Sequence, residues 1–359
     1  MLSKYKIFHS KNLYIFFIIL SLTIFFFSTV KLYAKAFEVK NIEISKPFEI
    51  NFDKNKIIDT GFRMAFNELI SLITDSHDQK KIKNIKLNEI KSMIETFSIK
   101  EEKFIDETYY VNLGVLFNKK KVFNFLEKKN IFPSIPNKKK FLFIPIIIDE
   151  DKKDLLIFSN NSIFSEWNNY NQSYDLIEYI LPTEDLEDLN ILKKKYEIIE
   201  EYDFKDITNK YFLSDSIILL IFKNKNEVRT LSKITINDEV LLKNRSFFNV
   251  DLNNPNQTLI VINNLKTNYE DYWKKSKKIN TSIKLSLNVQ IDMKDNFKVS
   301  EFEKKLNQID LIYDFFITKF NKDNIFYEII FNGTTNSFLK TMGENEFFFN
   351  TQNKIWILK

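Results

Sequence analysis

The stretch Phe141-Leu142-Phe143-Ile144-Pro145-Ile146-Ile147-Ile148 decides the fold class. It carries no charged or polar side chain. A strand with one wet face alternates between apolar and polar residues. An unbroken apolar run is the pattern of a strand covered on both faces, the inner strand of a layered domain. A second such run follows at 217–222. Between the two, the sequence predicts strands at 155–159 and 176–181. It also predicts a helix starting at Pro182-Thr183, with Thr183 as its cap and Glu184, Asp185, Glu187 and Asp188 in its first turns, and another helix near Asp203. A hairpin is expected over 228–236 and 240–248, then a last strand at 258–262 and a helix around 269–278. Strands alternating with helices make residues 141–279 a layered α/β domain.

Outward from this centre the chain divides further. Pro133 and Pro136 mark the polar stretch 130–140 as a linker. Before it, residues 37–130 open with an extended segment. Ile58, Phe62, Ala65, Phe66, Leu69 and Ile73 then recur at helical spacing. A shorter helix is expected with Leu87, Ile90, Ile94 and Phe97 on one face, then strands at 98–105 and 108–117, then a helix over 118–129. This order is β-α-(α)-β-β-α. After the centre, residues 282–359 give a strand at 283–291, a helix carrying Phe302, Leu306 and Ile309, and strands at 311–320 and 325–331. A short helix ending at Gly343 follows, then a terminal strand pair or one long strand over 347–358. That order, β-α-β-β-α-β, is ferredoxin-like. The expected class is α/β (α+β): a leader, a ferredoxin-like unit, a layered α/β domain and a second ferredoxin-like unit.

Residues 1–36 hold Lys4, Lys6, Lys11, Lys31 and Lys35, no acidic residue, and an apolar run over 13–30. They end in Ala34-Lys35-Ala36. A basic start, an apolar middle and a small-x-small end make an export signal, with cleavage expected between Ala36 and Phe37. Retained instead, the run at 13–30 is long enough to anchor the chain in the inner membrane. Either way the body is expected outside the cytoplasm, in a bacterial periplasm. The leader's five lysines account for the whole excess of 53 basic over 48 acidic residues. The body is therefore neutral, and bulk charge gives no support to a nucleic-acid partner. The lysine runs at 119–121, 138–140 and 193–195 have acidic neighbours and read as solvated faces or loop ends.

Cysteine is absent, so this exported chain is stabilised by burial without disulfides, and thiolate chemistry is excluded. Three Arg, three Ala and four Gly against 37 Phe and abundant Lys, Asn and Ile track AT-rich codons. Single Lys, Asn or Phe residues therefore carry little meaning.

Three stretches in order resemble one family. They are Gly61-Phe62-Arg63-Met64-Ala65-Phe66-Asn67-Glu68-Leu69-Ile70 with 97–102; the tyrosine-led strand 109–118; and the set 141–145, Phe164-Ser165-Glu166-Trp167 and 181–188. The mature chain is similar to an uncharacterised group of exported alphaproteobacterial proteins, a domain-of-unknown-function family. The middle domain resembles the amino-terminal domains of envelope proteins of the Tol system. The resemblance implies an envelope location and brings no catalytic residue with it.

The residues themselves offer little chemistry. His77 is the body's single histidine, between Asp75 and Asp78, and reads as an exposed loop residue because one imidazole makes no metal site. Asp149-Glu150-Asp151 reads as a polar turn, since no turn glycine or EF-hand spacing accompanies it. Ser337 and Lys340 stand at Ser-x-x-Lys spacing without its companion motifs. Gly61, Gly114, Gly333 and Gly343 are too scattered for a phosphate loop. Glu184 and Asp188 read as helix-capping acids, and Trp167, Trp273 and Trp356 as core. No catalytic, cofactor or metal residue is named. The expectation is a non-catalytic envelope protein that binds envelope proteins or cell-wall components, with open sheet edges as contacts. The alternatives are an envelope hydrolase using scattered carboxylates and a solute- or polymer-binding protein.

Overall fold

The structure, a computed structural model, describes residues 37–224, 227–294 and 296–359; the export leader expected over 1–36 lies outside the described residues. The α+β class expected from sequence is what the described residues form, with three sheets that are mixed or antiparallel.

The first unit runs β1 (Glu38–Pro47), α1 (Lys54–Ile73), α2 (Ser76–Ile82), α3 (Leu87–Met93), β2 (Ile94–Ile105), β3 (Thr108–Phe117) and α4 (Lys119–Lys128). Its sheet has the order β1-β3-β2 and is antiparallel throughout. Asp53 caps α1 by accepting the N–H groups of Asn55 and Lys56. The α1 stripe Phe62, Ala65, Phe66, Leu69 and Ile73 is buried against Val111, Leu113, Val115 and Phe117 of β3. Gly61 lets helix and sheet approach closely, because a Cβ there would stand 2.3 Å from Leu113 Cδ1. Two expectations change here. The helix carrying Leu87 and Ile90 stops at Met93, and Ile94 and Phe97 open β2 instead. A run rich in β-branched and aromatic residues gains ten paired positions on β3, which outweighs the helical period. A further short helix, α2, also stands between α1 and α3.

The middle unit runs β4 (Lys139–Asp149), β5 (Asp154–Leu156), α5 (Ser162–Glu166), β6 (Ile177–Ile180), α6 (Leu186–Lys194), α7 (Lys205–Thr208), β7 (Ser216–Lys223), β8 (Glu227–Ile236), β9 (Glu239–Phe248) and α8 (Pro255–Ser276). β4 is the inner strand its composition demanded. β7 lies parallel along one side of it. The other side is shared by β6, parallel at Lys139–Leu142, and β5, antiparallel at Ile147–Asp149. Pro145, which has no N–H to give, falls in the gap between them, and Asn161 Nδ2 donates to its carbonyl at 3.0 Å. One face of β4 packs Phe141 and Phe143 with Trp167, Leu265 and Trp273. The other packs Leu142, Ile144, Ile146 and Ile148 with Leu192 and Ile207. The turn between β8 and β9, Asn237-Asp238, has φ of 48° and 67°, the type I′ geometry of a two-residue hairpin.

Three expectations for this unit are corrected. Residues 258–262 are not a strand but the second turn of α8. Asn254 caps that helix and Pro255 opens it, so Thr258, Val261, Ile262, Leu265, Tyr269 and Trp273 form one helical face. Thr183 does not cap α6; Asp185 does, accepting the Glu187 N–H at 2.8 Å, while the Thr183 N–H donates to the Tyr211 hydroxyl. The strand expected over 155–159 shortens to β5, because the chain turns at Phe158, whose φ is 59°.

The third unit runs β10 (Lys284–Asp292), α9 (Asn296–Gln308), β11 (Ile312–Phe320), β12 (Asn324–Asn332), α10 (Thr335–Gly343), β13 (Phe349–Asn350) and β14 (Trp356–Leu358), with sheet order β11-β12-β10-β14-β13. The first four ferredoxin-like elements are as expected. The terminal segment is a strand pair. β13 has the antiparallel direction of a ferredoxin-like fourth strand, but β14 turns back and inserts beside β10, parallel to it.

The three units pack into one compact body. The stretch 130–140 is no free linker. The Ser134 N–H donates to Ile73 O at 2.7 Å, the Ile279 N–H to Pro133 O at 2.8 Å, and Trp273 Nε1 to Asn137 O at 2.7 Å. No helix among the described residues is long and apolar enough to cross a membrane.

Candidate functional site

Lys266, Glu270 and Lys274 are spaced four apart on α8 and therefore share one face, with Lys278 just beyond the helix end. The first three are buried. Lys266 Nζ donates to Tyr170 O and Asn171 Oδ1, both at 2.8 Å, and lies 5.5 Å from the centroid of the Trp167 ring. Glu270 Oε1 accepts the N–H groups of Leu176 at 3.0 Å and Ile177 at 2.8 Å, where β6 begins. Its Oε2 lies 4.0 Å from Lys274 Nζ, which donates to Ser71 O at the end of α1. Asp271 accepts the backbone N–H and the hydroxyl of Ser76, at 2.8 and 2.6 Å. In this charged seam Lys266 and Glu270 tie α8 to residues 170–177 of its own unit, and Asp271 and Lys274 tie it to the first unit.

Burial dominates its electrostatics. It pushes Glu270 up from 4.5 to about 7, against the Ile177 N–H and the Lys274 ammonium, and it pushes Lys274 and Lys266 down. Because the folded value of Glu270 lies above its unfolded one, its contribution to stability is full below about pH 4.5 and is lost as pH rises through about 7. Stability should fall by about 3 kcal/mol between pH 4.5 and pH 8 from this group. Glu270→Gln should flatten that slope in thermal melts. An unchanged slope in the variant would place the titration elsewhere.

His77 is exposed, as expected, in the first turn of α2 rather than in a loop. Asp75, His77 and Asp78 offer ligand atoms within 4.8 Å of one another. Both carboxylates already carry ammonium groups: Lys278 Nζ is 3.0 Å from each, and Lys81 Nζ is 2.6 Å from Asp78. Burial raises Asp75 and Asp78, but the Asp78 N–H and Lys278 for the one, and Lys81 and Lys278 for the other, outweigh it and hold both low. Lysines thus occupy the positions a cation would take, and the trio is a poor fit for a metal.

The other residues singled out in the sequence fall apart in space or into structure. Lys210 Nζ gathers Asp188 at 2.6 Å, Asp185 at 3.1 Å and Glu187 at 3.6 Å, while Glu184 accepts the Ser159 N–H. The acids of α6 therefore anchor the 3-10 turn carrying Lys210. Asp149 accepts the Lys152 N–H in the β4–β5 turn, as a polar turn should. Ser337 spends its backbone N–H on the Thr334 cap of α10. Trp167 and Trp273 are buried, and Trp356 packs against the core of the third unit. Ala34 and Ala36 lie outside the described residues; Phe37 is buried edge-on against Phe123, with ring centroids 5.2 Å apart. Two hollows remain. One of about 540 Å³ lies on the outer face of the first sheet, beside Glu43, Glu101, Lys103, Tyr110 and Asn112. One of about 350 Å³ lies beside Glu150, Glu197, Glu200 and Glu201. The seam was missed at the sequence level, although a charge every fourth residue along an otherwise apolar helix face is a readable signal.

The surface is distinguished by its sheet edges. Each sheet ends in a long strand with one side unpaired: β2, β9 and β11. All three expose large apolar side chains, among them Phe104 at 58 %, Phe248 at 70 % and Phe320 at 73 %. The first half of β11 is covered by α4, through Tyr313 Oη to Asn124 Oδ1 at 3.0 Å and Lys120 to Asp314 at 2.5 Å. Its second half, with Phe316, Ile317 and Phe320, is free among the described residues. A scan against protein-family models finds no match for this chain, and no curated protein matches it.

Proposed function

We propose that this is a non-catalytic protein of the bacterial envelope, working in the periplasm, which binds other envelope proteins by strand addition at its open sheet edges. One observation carries the reading: all three sheets end in exposed edge strands studded with Phe, Ile and Leu. Unpaired N–H and C=O groups along an edge supply main-chain bonding to an incoming strand, and apolar side chains beside them supply affinity. The basic, acid-free leader with Ala34 and Ala36 supports the location. The resemblance to exported alphaproteobacterial proteins points the same way.

Photo-crosslinking amino acids placed at Phe104 and Phe320 in living cells test the reading. Discrete adducts with envelope proteins are expected from both positions and none from Lys205, an exposed residue away from the edges. Recovery of free protein alone from both edge positions overturns the proposal, as does an alkaline phosphatase fusion at the carboxyl terminus that stays inactive.

A further inference from the structure

We propose that β9 is a self-association edge, pairing antiparallel with β9 of a second copy about a two-fold axis centred on Leu241. The inference rests on reading open edges as contact surfaces, but it needs no foreign partner. β9 differs from the other two edges. β2 and β11 carry register irregularities against their neighbours, so those edges bend and suit a partner strand shaped to the bend rather than a straight copy of themselves. β9 runs ten residues beside β8 without one. A long, regular edge with exposed Val240, Leu241 and Leu242 is a ready template for another strand.

The sequence of that edge selects its partner. In an antiparallel pair of identical regular strands, a two-fold axis normal to the sheet keeps each residue on its own face. Because side chains alternate with period two, only registers centred on a residue are allowed. Centring on Lys243 sets lysine against lysine. Centring on Asn244 sets Lys243 against Arg245, and centring on Leu242 sets Leu241 against Lys243. Centring on Leu241 instead makes Glu239-Val240-Leu241-Leu242-Lys243 complementary to itself. Glu239 meets Lys243 at both ends, Val240 meets Leu242 on one face, and Leu241 meets Leu241 on the other. Opposite charges and apolar pairs directly across a ladder stabilise it, and like charges oppose it. The faces agree with the fold: Lys243 lies on the α8 side, with Nζ 5.3 Å from the Tyr272 ring centroid, and Leu241 shares that side. Neither Glu239 nor Lys243 makes an ion pair among the described residues, so both are available to a partner. The pairing would join two six-stranded sheets into one.

The chain has no cysteine, so an introduced one is unique. In cells expressing the full chain and treated with an oxidant, Leu241→Cys is expected to give a disulfide-linked dimer on a non-reducing gel. Lys243→Cys is expected to remain monomeric, since its two copies would lie roughly 14 Å apart, beyond disulfide reach. Glu239→Lys in the Leu241→Cys background should weaken dimer formation about tenfold. Adding Lys243→Glu should restore it, because the charges are then complementary in the reverse sense. No dimer from Leu241→Cys in protein with a folded circular dichroism spectrum overturns the proposal, as do equal dimer yields from Leu241→Cys and Lys243→Cys. Failure of the charge swap to restore pairing overturns the register. These outcomes are independent of adducts at Phe104 and Phe320, so failure here is distinguishable from failure of the wider reading.

Discussion

Glu270→Ala is expected to lower stability by about 3–5 kcal/mol, because it removes one partner from a buried charged group and its hydrogen bonds. The carboxylate accepts the backbone N–H groups of Leu176 and Ile177. Alanine leaves both donors buried and unsatisfied, each costing about 1–3 kcal/mol. It also leaves Lys274, itself buried, with only Ser71 O. Glu270→Gln keeps an oxygen at the same place and should cost much less. Replacing Glu270 and Lys274 together by leucine should be milder only by the cost of the stranded ammonium, since the N–H groups of Leu176 and Ile177 still lose their acceptor. Urea unfolding gives the comparison, with a falling midpoint at constant m value for the alanine variant. A loss under about 1 kcal/mol would mean that Glu270 contributes little to holding α8 against the start of β6.

Trp167→Ala should be as damaging, at about 3–5 kcal/mol, through the cavity it leaves. Trp167 is fully buried and stacks on Phe143, with centroids 3.9 Å apart and planes at 23°. Tyr179 meets it edge-on at 5.3 Å, and the Lys266 ammonium lies over its ring. The indole Nε1 has no hydrogen-bond partner among the described residues. Trp167→Phe therefore loses volume and no internal hydrogen bond, and should cost about 1–2 kcal/mol. A chemical denaturation series of the two variants separates the cases. Equal losses for Phe and Ala would show that the ring stack on Phe143 is not what Trp167 contributes.

Legibility varied with how local the deciding physics was. The inner strand β4 was readable because burial on both faces leaves an unbroken apolar signature in Phe141 to Ile148. The hairpin β8–β9 was readable from alternation and from Asn237-Asp238, which tolerate positive φ. Ile94 and Phe97 misled because their spacing fits a helix face as well as a strand; pairing with β3 decided between them. Residues 258–262 misled because a short β-branched run looks like a strand, whereas the Asn254 cap, Pro255 and the face of Leu265, Tyr269 and Trp273 carry the helix straight through it.

Local pattern suffices for the α+β class, for most element boundaries in the first and third units, and for a body whose basic and acidic residues balance. These follow from hydrophobic period, capping chemistry and composition, all of which act within a few residues. The seam of Lys266, Glu270, Lys274 and Lys278 across two units, and the insertion of β14 beside β10, emerge only from the folded arrangement. The same holds for the open edges at β2, β9 and β11. Strand order and charge partners are set by contacts between residues far apart in the chain, and a local pattern carries no record of which distant neighbour completes it.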